Sequence, residues 1–173
     1  MKESKTSIGL VNPKSPANVN SVMRSAGNFS VDSVFYTGSR FPRAANLNQS
    51  AVNMGRKVSL NIPLNGVSNL IDSVADNMKI VCVEFAENAK PLPEYQHPEN
   101  AFYIFGPEDG TLSQDIINKA DAVVYVPTVG CMNLAATVNV VLYDRLSKSS
   151  QPINGNELIR KSRDRNNNLK LSL

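Results

Sequence analysis

What most constrains this chain is the alternation of short, almost wholly apolar runs with stretches of helical periodicity. The clearest runs are 79–85 (Lys-Ile-Val-Cys-Val-Glu-Phe), 101–105 (Ala-Phe-Tyr-Ile-Phe) and 122–126 (Ala-Val-Val-Tyr-Val). A strand that is apolar at nearly every position is covered on both faces, which is the habit of parallel sheets. Further strands are expected at 6–11 and 31–37, with a weak one at 57–60. Val19, Val22, Met23 and Ala26 recur at helical spacing and predict a helix over 16–27, opened by Ser15 as N-cap and Pro16 as first helical residue. Helices are also expected at 43–54, at 65–76 on the stripe Val67, Leu70, Ile71 and Val74, at 113–119 behind Ser113, and at 132–147. Pro91 to Pro98 reads as a loop. The alternation predicts a single-domain α/β fold, a mostly parallel sheet covered by helices on both faces.

At 173 residues the chain fits one such domain. No apolar run approaches the roughly 20 residues of a membrane span. Met1-Lys2-Glu3-Ser4-Lys5 leads into a strand and not into the apolar core of a signal peptide, so a cytoplasmic location without membrane attachment is expected. The expected division is a domain over 1–148 and a basic, partly disordered tail over 149–173. From 145 onward the chain carries seven Lys/Arg against Glu157 and Asp164, a surplus that suits polyanions. The two cysteines, Cys82 and Cys131, are far apart and the only histidine is His97. A zinc cluster or a histidine-activated nucleophile needs more than this, so no metal is expected.

Open α/β sheets bind ligands beyond the carboxyl ends of their strands. Three loops fall there: 12–18, 105–110 and 126–133. None is a GxGxxG fingerprint or a phosphate loop. Gly106 permits close backbone approach to a ligand, and Pro107-Glu108-Asp109-Gly110 is a good β-turn sequence in which Asp109 reads as a surface residue. Arg24 falls on the polar side of its helix. Cys82 reads as a core residue, and Tyr125 and Tyr143 as core or dimer-packing residues.

The three loops resemble the three motifs of the SpoU/TrmH group of SPOUT RNA methyltransferases. Asn12-Pro13, Pro16 and Asn18-Val19 leading to Arg24-Ser25-Ala26 are similar to the first motif, and Phe105-Gly106-Pro107-Glu108 to the second. Val126-Pro127 with Met132-Asn133-Leu134 and Leu142-Tyr143-Asp144 is similar to the third. The resemblance covers about residues 7–146, and the minimal TrmL-like tRNA 2'-O-ribose methyltransferases are the most similar in size.

This resemblance implies a C-terminal trefoil knot, S-adenosyl-L-methionine as cofactor, a homodimer with a composite site, and a ribose 2'-hydroxyl of tRNA or rRNA as methyl acceptor. It implies catalytic roles for Arg24, Glu108, Asn18 and Asn133. It also implies cofactor contacts from Glu84, Gly106, Val126, Cys131, Met132, Asn133 and Leu134. Because arginine stays protonated, Arg24 is suited to holding an RNA phosphate and steadying an alkoxide rather than to removing a proton. Glu108 is expected to position substrate or Arg24, or to accept a proton. The chain departs from the family pattern at Cys131 and Ala135, where serine is usual, and at Asn20, where glycine is usual. Two other readings stay open: a non-catalytic knotted RNA-binding or assembly protein, and a generic nucleotide-binding α/β domain.

Overall fold

The computed structural model describes residues 4–47, 61–150 and 155–171. Among them seven strands form one sheet: β1 (Thr6–Leu10), β2 (Ser33–Tyr36), β3 (Leu64–Gly66), β4 (Lys79–Val83), β5 (Lys90–Pro91), β6 (Ala101–Phe105) and β7 (Ala122–Tyr125). Their order is β3-β2-β1-β6-β4-β7-β5, and every pairing is parallel. Leu10 and Val83 both stand opposite Phe105, and Val124 opposite Val83. The carboxyl ends of β1, β6, β4 and β7 therefore end level, and the loops that follow them emerge at one edge.

Period-two alternation sends neighbours on one strand to opposite faces, and here both faces are buried. Ile8, Leu10, Val81, Val83, Tyr103 and Phe105 face helix α1 (Pro16–Asn28) and helix α4 (Leu134–Ser147), which contribute Val19, Val22, Val138 and Val141. Cys82, Phe102 and Ile104 face the other way, onto Leu70, Leu112 and the isoleucines Ile116 and Ile117 of helix α3 (Gln114–Asn118). Burial pushes the Cys82 thiol up to about 12, with the Glu84 charge adding to it, as befits a core residue. Gly9 is required on this second face, because a Cβ there would lie 2.6 Å from Cε1 of Phe102 and 3.0 Å from Leu70.

Helix starts follow their caps. Ser15 Oγ accepts from the Asn18 N–H, and Ser113 Oγ from the Ile116 N–H. The expected helix over 65–76 is absent. Leu64–Gly66 pairs with β2 instead, and only a 3₁₀ turn forms at Ile71–Ser73. Asn69 explains the difference, since its side chain accepts from the Ile71 N–H at 2.9 Å and offers the backbone an alternative to a helix. Leu70 is nonetheless buried, with Val67, Ile71 and Val74 packed around it. Helix α2 runs Arg40–Leu47; the rest of the expected helix at 43–54, and the strand at 57–60, lie outside the described residues. The expected loop at Pro91 to Pro98 begins inside β5 and includes a 3₁₀ turn at Leu92–Glu94. In the tail, Gly155–Ser162 forms α5, which is exposed along its length.

The connection from β4 to β6 crosses to the far side of β7, pairs there as β5, and returns. The last turn of α4 is tied to this connection. Lys148 Nζ donates to the carbonyls of Leu92 and Tyr95, and Arg145 to those of Pro98 and Glu99.

Candidate active site

The loops after β1, β6 and β7 meet through one chain of side-chain hydrogen bonds. Glu108, in the turn after β6, accepts from the backbone N–H groups of Lys14 and Ser15 at 2.8 and 3.1 Å and from Nδ2 of Asn18 at 3.0 Å. Asn133 caps α4, its Oδ1 accepting from the N–H groups of Ala135 and Ala136. That cap leaves its Nδ2 free to donate to Oδ1 of Asn18 at 3.0 Å. Each amide is thereby fixed in orientation: Asn18 donates to the carboxylate and accepts from Asn133. Burial pushes the Glu108 carboxyl up, but the Asn18 amide and the N–H groups of Lys14 and Ser15 outweigh it and hold the group below its ordinary value. A carboxylate so satisfied is a poor proton acceptor and a good anchor.

Beside this chain lies an open cleft of about 140 Å³ at the carboxyl ends of β4, β6 and β7. Val83, Phe105, Val126 and Leu134 supply apolar wall, and Glu84, Gly106, Cys131 and Met132 also line it. Six of the seven expected cofactor contacts are thus gathered here. The seventh, Asn133, stands just outside as the cap of α4. Glu84 is itself an anchor, accepting from the N–H groups of Phe85 and Leu112, so it ties the 106–112 loop to the end of β4. The lining contains two carboxylates, Glu84 and Glu108, and no lysine or arginine. Among the described residues no three His, Cys, Asp or Glu side chains gather as metal ligands.

Arg24 is not drawn into the network. It is exposed on α1, six residues or roughly 9 Å of helix beyond Asn18. The lining residues Tyr125 and Thr137 fall outside the loops expected to bind a ligand. Tyr125 ends its strand at the mouth of the cleft against Phe85, ring centroids 6.0 Å apart, and is not a buried core residue. Its place as the last strand residue before the third loop was the only available signal. Asp109 is more than a surface turn residue. Arg40 hydrogen-bonds its carboxylate and holds it below the usual range, with Lys14 adding its charge.

This parallel α/β sheet is shared with SpoU and TrmH methyltransferases of known structure. The chain belongs to the SpoU rRNA Methylase family, which matches it over residues 5–143. Solved structures share the fold at low identity. AviRb from Streptomyces viridochromogenes, a SpoU methyltransferase in complex with AdoMet, has a TM-score of 0.67 at 19% identity, covering 86% of this chain and 59% of AviRb. The A. aeolicus TrmH/SpoU tRNA modifying enzyme has 0.67 at 15% identity, covering 84% and 75%. An rRNA methyltransferase from Sinorhizobium meliloti has 0.70 at 16%, covering 84% and 56%. The chain thus spans a little over half the length of the first and third. No curated protein is a significant match, and no described helix is long and apolar enough to cross a membrane.

Proposed function

We propose that the protein is an S-adenosyl-L-methionine-dependent RNA methyltransferase that methylates a ribose 2'-hydroxyl in tRNA or rRNA. One observation carries this reading: the cleft offers apolar walls and two carboxylates without a single cation. Such a lining repels the phosphates of nucleoside triphosphates and dinucleotides. It suits a nucleoside bearing a sulfonium and an ammonium group. In this reading apolar Val83, Phe105, Val126 and Leu134 hold the adenine, and Glu84, Cys131 and Met132 the remainder, all of them lining the cleft.

When bound, the cofactor supplies a methyl group activated for transfer to an oxygen nucleophile. The chain's own residues have less to do than in a hydrolase. Glu108, Asn18 and Asn133 hold the three loops in register, so that the hydroxyl is brought to a prepared edge; proximity accounts for much of the rate. Arg24, exposed on α1, binds an RNA phosphate and steadies the alkoxide. Its distance from the Glu108 network favours a site completed across a two-fold homodimer. Tyr143 and Leu146, exposed by 65% and 38% on α4, supply apolar surface for that contact. The implied knot belongs to the same reading, and what supports it is the strand order, in which β7, which follows β6 in the chain, lies between β4 and β5.

Calorimetric titration with S-adenosylhomocysteine, followed by mass mapping of ribose methylation on total tRNA and rRNA, tests the proposal. Binding together with a new 2'-O-methyl mark is the expected result. Binding without methylation of any RNA would favour the non-catalytic alternative, and no binding at millimolar ligand would sink the reading.

A further inference from the structure

Arg40 lies outside all three loops, at the first turn of α2, yet its guanidinium bridges the first two, 12–18 and 105–110. Nε donates to the backbone carbonyl of Asn12 at 3.0 Å and Nη2 donates to the same oxygen. Nη1 donates to both carboxylate oxygens of Asp109, at 2.7 and 2.9 Å. The loop at 12–15 and the loop at 106–109 are therefore closed by two clamps. Glu108 reaches from the second loop to the α1 end of the first; Arg40 reaches from α2 to its β1 end and to Asp109.

The β1 end needs a restraint. Asn12 has φ of 43°, in the left-handed region that asparagine enters more readily than other residues with a Cβ when its side chain bonds locally. Its Oδ1 is buried without a hydrogen-bond partner among the described residues. It packs on Gly38, itself at φ 77°, where any Cβ would collide with the Asn12 side chain. A left-handed residue with a buried unsatisfied oxygen persists only where its surroundings over-determine it. Besides Arg40, the backbone of Asn12 is held by a bond from its N–H to Oγ1 of Thr37 at 3.2 Å.

We infer that Arg40 is a positioning residue for the cofactor cleft: by holding Asn12 and Asp109 together it fixes the 106–110 loop, one wall of that cleft, before a ligand arrives. Gly106, Pro107, Glu108 and Gly110 of this loop line the cleft, whereas Arg40 does not. The inference rests on the reading of the cleft as the cofactor site. Without the clamp, the ordering of the loop falls on ligand binding and weakens it. The planar fork reaches the two partners through separate nitrogens, Nε and Nη2 on the Asn12 carbonyl and Nη1 on the Asp109 carboxylate, a fixed spacing that the single nitrogen of lysine does not reproduce.

The test is calorimetric titration of S-adenosylhomocysteine into the full-length protein, as wild type, Arg40→Ala, Arg40→Lys, Asp109→Ala and the Arg40→Ala/Asp109→Ala double variant. All are measured at a temperature where thermal melts show them folded. Arg40→Ala and Asp109→Ala are each expected to weaken binding by about five- to tenfold. Arg40→Lys should not rescue, and the double variant should bind no more weakly than the weaker single one, since both changes open one clamp. Should Arg40→Ala fail to fold, Asp109→Ala, altered at an exposed side chain, carries the same expectation. Unchanged affinity in a folded single variant, or fully additive losses, would overturn the inference while leaving the cofactor reading intact. Absence of binding by the wild type would overturn both.

Discussion

Asn133 donates from Nδ2 to Oδ1 of Asn18 across 3.0 Å, joining residues 115 positions apart. The bond has a fixed direction, because the α4 cap occupies the oxygen of Asn133 and Glu108 occupies the nitrogen of Asn18. Direction makes the network sensitive to isosteric changes that leave packing untouched.

Asn18→Asp is therefore expected to do more harm than Asn18→Ala. It removes the donor to Glu108 and sets a second carboxylate against the first. A loss of about 1 to 3 kcal/mol is expected in chemical denaturation, from the bond broken and the oxygen left facing like charge. Glu108→Gln should behave similarly, because its amide would point hydrogens at N–H groups of Lys14, Ser15 or Asn18. It is thus not a clean probe of proton transfer. Equal stability of Asn18→Asp and wild type would mean that the bond chain contributes nothing.

Arg24→Ala is expected to separate turnover from everything else. Arg24 is exposed and lies outside the cleft, so stability should shift by less than about 0.5 kcal/mol and cofactor affinity should hold. Single-turnover methylation should fall by about a hundredfold or more, the scale of losing one preorganised charge at a developing oxyanion. Arg24→Lys should recover little. A near-normal rate for Arg24→Ala would remove the residue from the mechanism.

Gly9→Ala probes the sheet. The added methyl meets Phe102 at 2.6 Å and Leu70 at 3.0 Å, and Phe102 is fully buried between β1 and β4, so it has little room to retreat. Overpacking of this kind costs about 1 to 3 kcal/mol. A melting temperature equal to wild type would show that the second face of the sheet is looser than described.

These sites differ in how far the chain announces them. Val19, Val22 and Ala26 carry a helical period, and the runs 79–85, 101–105 and 122–126 carry strand character, so α1, β4, β6 and β7 are legible locally, with β4 and β7 ending two residues and one residue earlier than expected. The meeting of Glu108, Asn18 and Asn133 is legible only through the motif resemblance. It follows physically because β1, β6 and β7 are parallel and end level. The stripe Val67, Leu70, Ile71 and Val74 fits a helix over 65–76, and the Asn69 turn that decides against one is a single side chain. The Arg40–Asp109 pair spans 69 positions with no periodicity to mark it. Nothing short of coordinates places the two side chains together.

His97 sets the pH dependence, and the wiring around it gives the sign. Its ring is nearly buried, with Nε2 2.9 Å from Asp144 Oδ2 and Nδ1 2.6 Å from the Tyr103 hydroxyl. The Asp144 carboxylate can only accept, so Nε2 carries the proton and Nδ1 accepts from Tyr103. Burial pushes that phenol up to about 12, which keeps it a donor, and its oxygen accepts from Arg145 Nη1 at 3.3 Å. Lys148 Nζ sits 2.7 Å from the same Asp144 oxygen, and Tyr95 packs edge-on to the imidazole. Protonating Nδ1 would leave the Tyr103 hydrogen without its acceptor. Burial pushes the His97 pKa below its usual 6.5; Asp144 raises it, and Arg145 and Lys148 lower it, with the net direction downward. The unfolded chain therefore binds this proton more readily than the folded one. The stability His97 contributes is complete above about pH 6.5 and is lost as pH falls from there toward the folded value, with a slope of at most about 1.4 kcal/mol per pH unit. As the chain has one histidine, the decline between pH 7 and the carboxylate range should flatten in His97→Gln, followed by urea denaturation at each pH. Wild-type stability that is constant, or that rises on acidification through this window, would show that the tautomer and the sign are wrong.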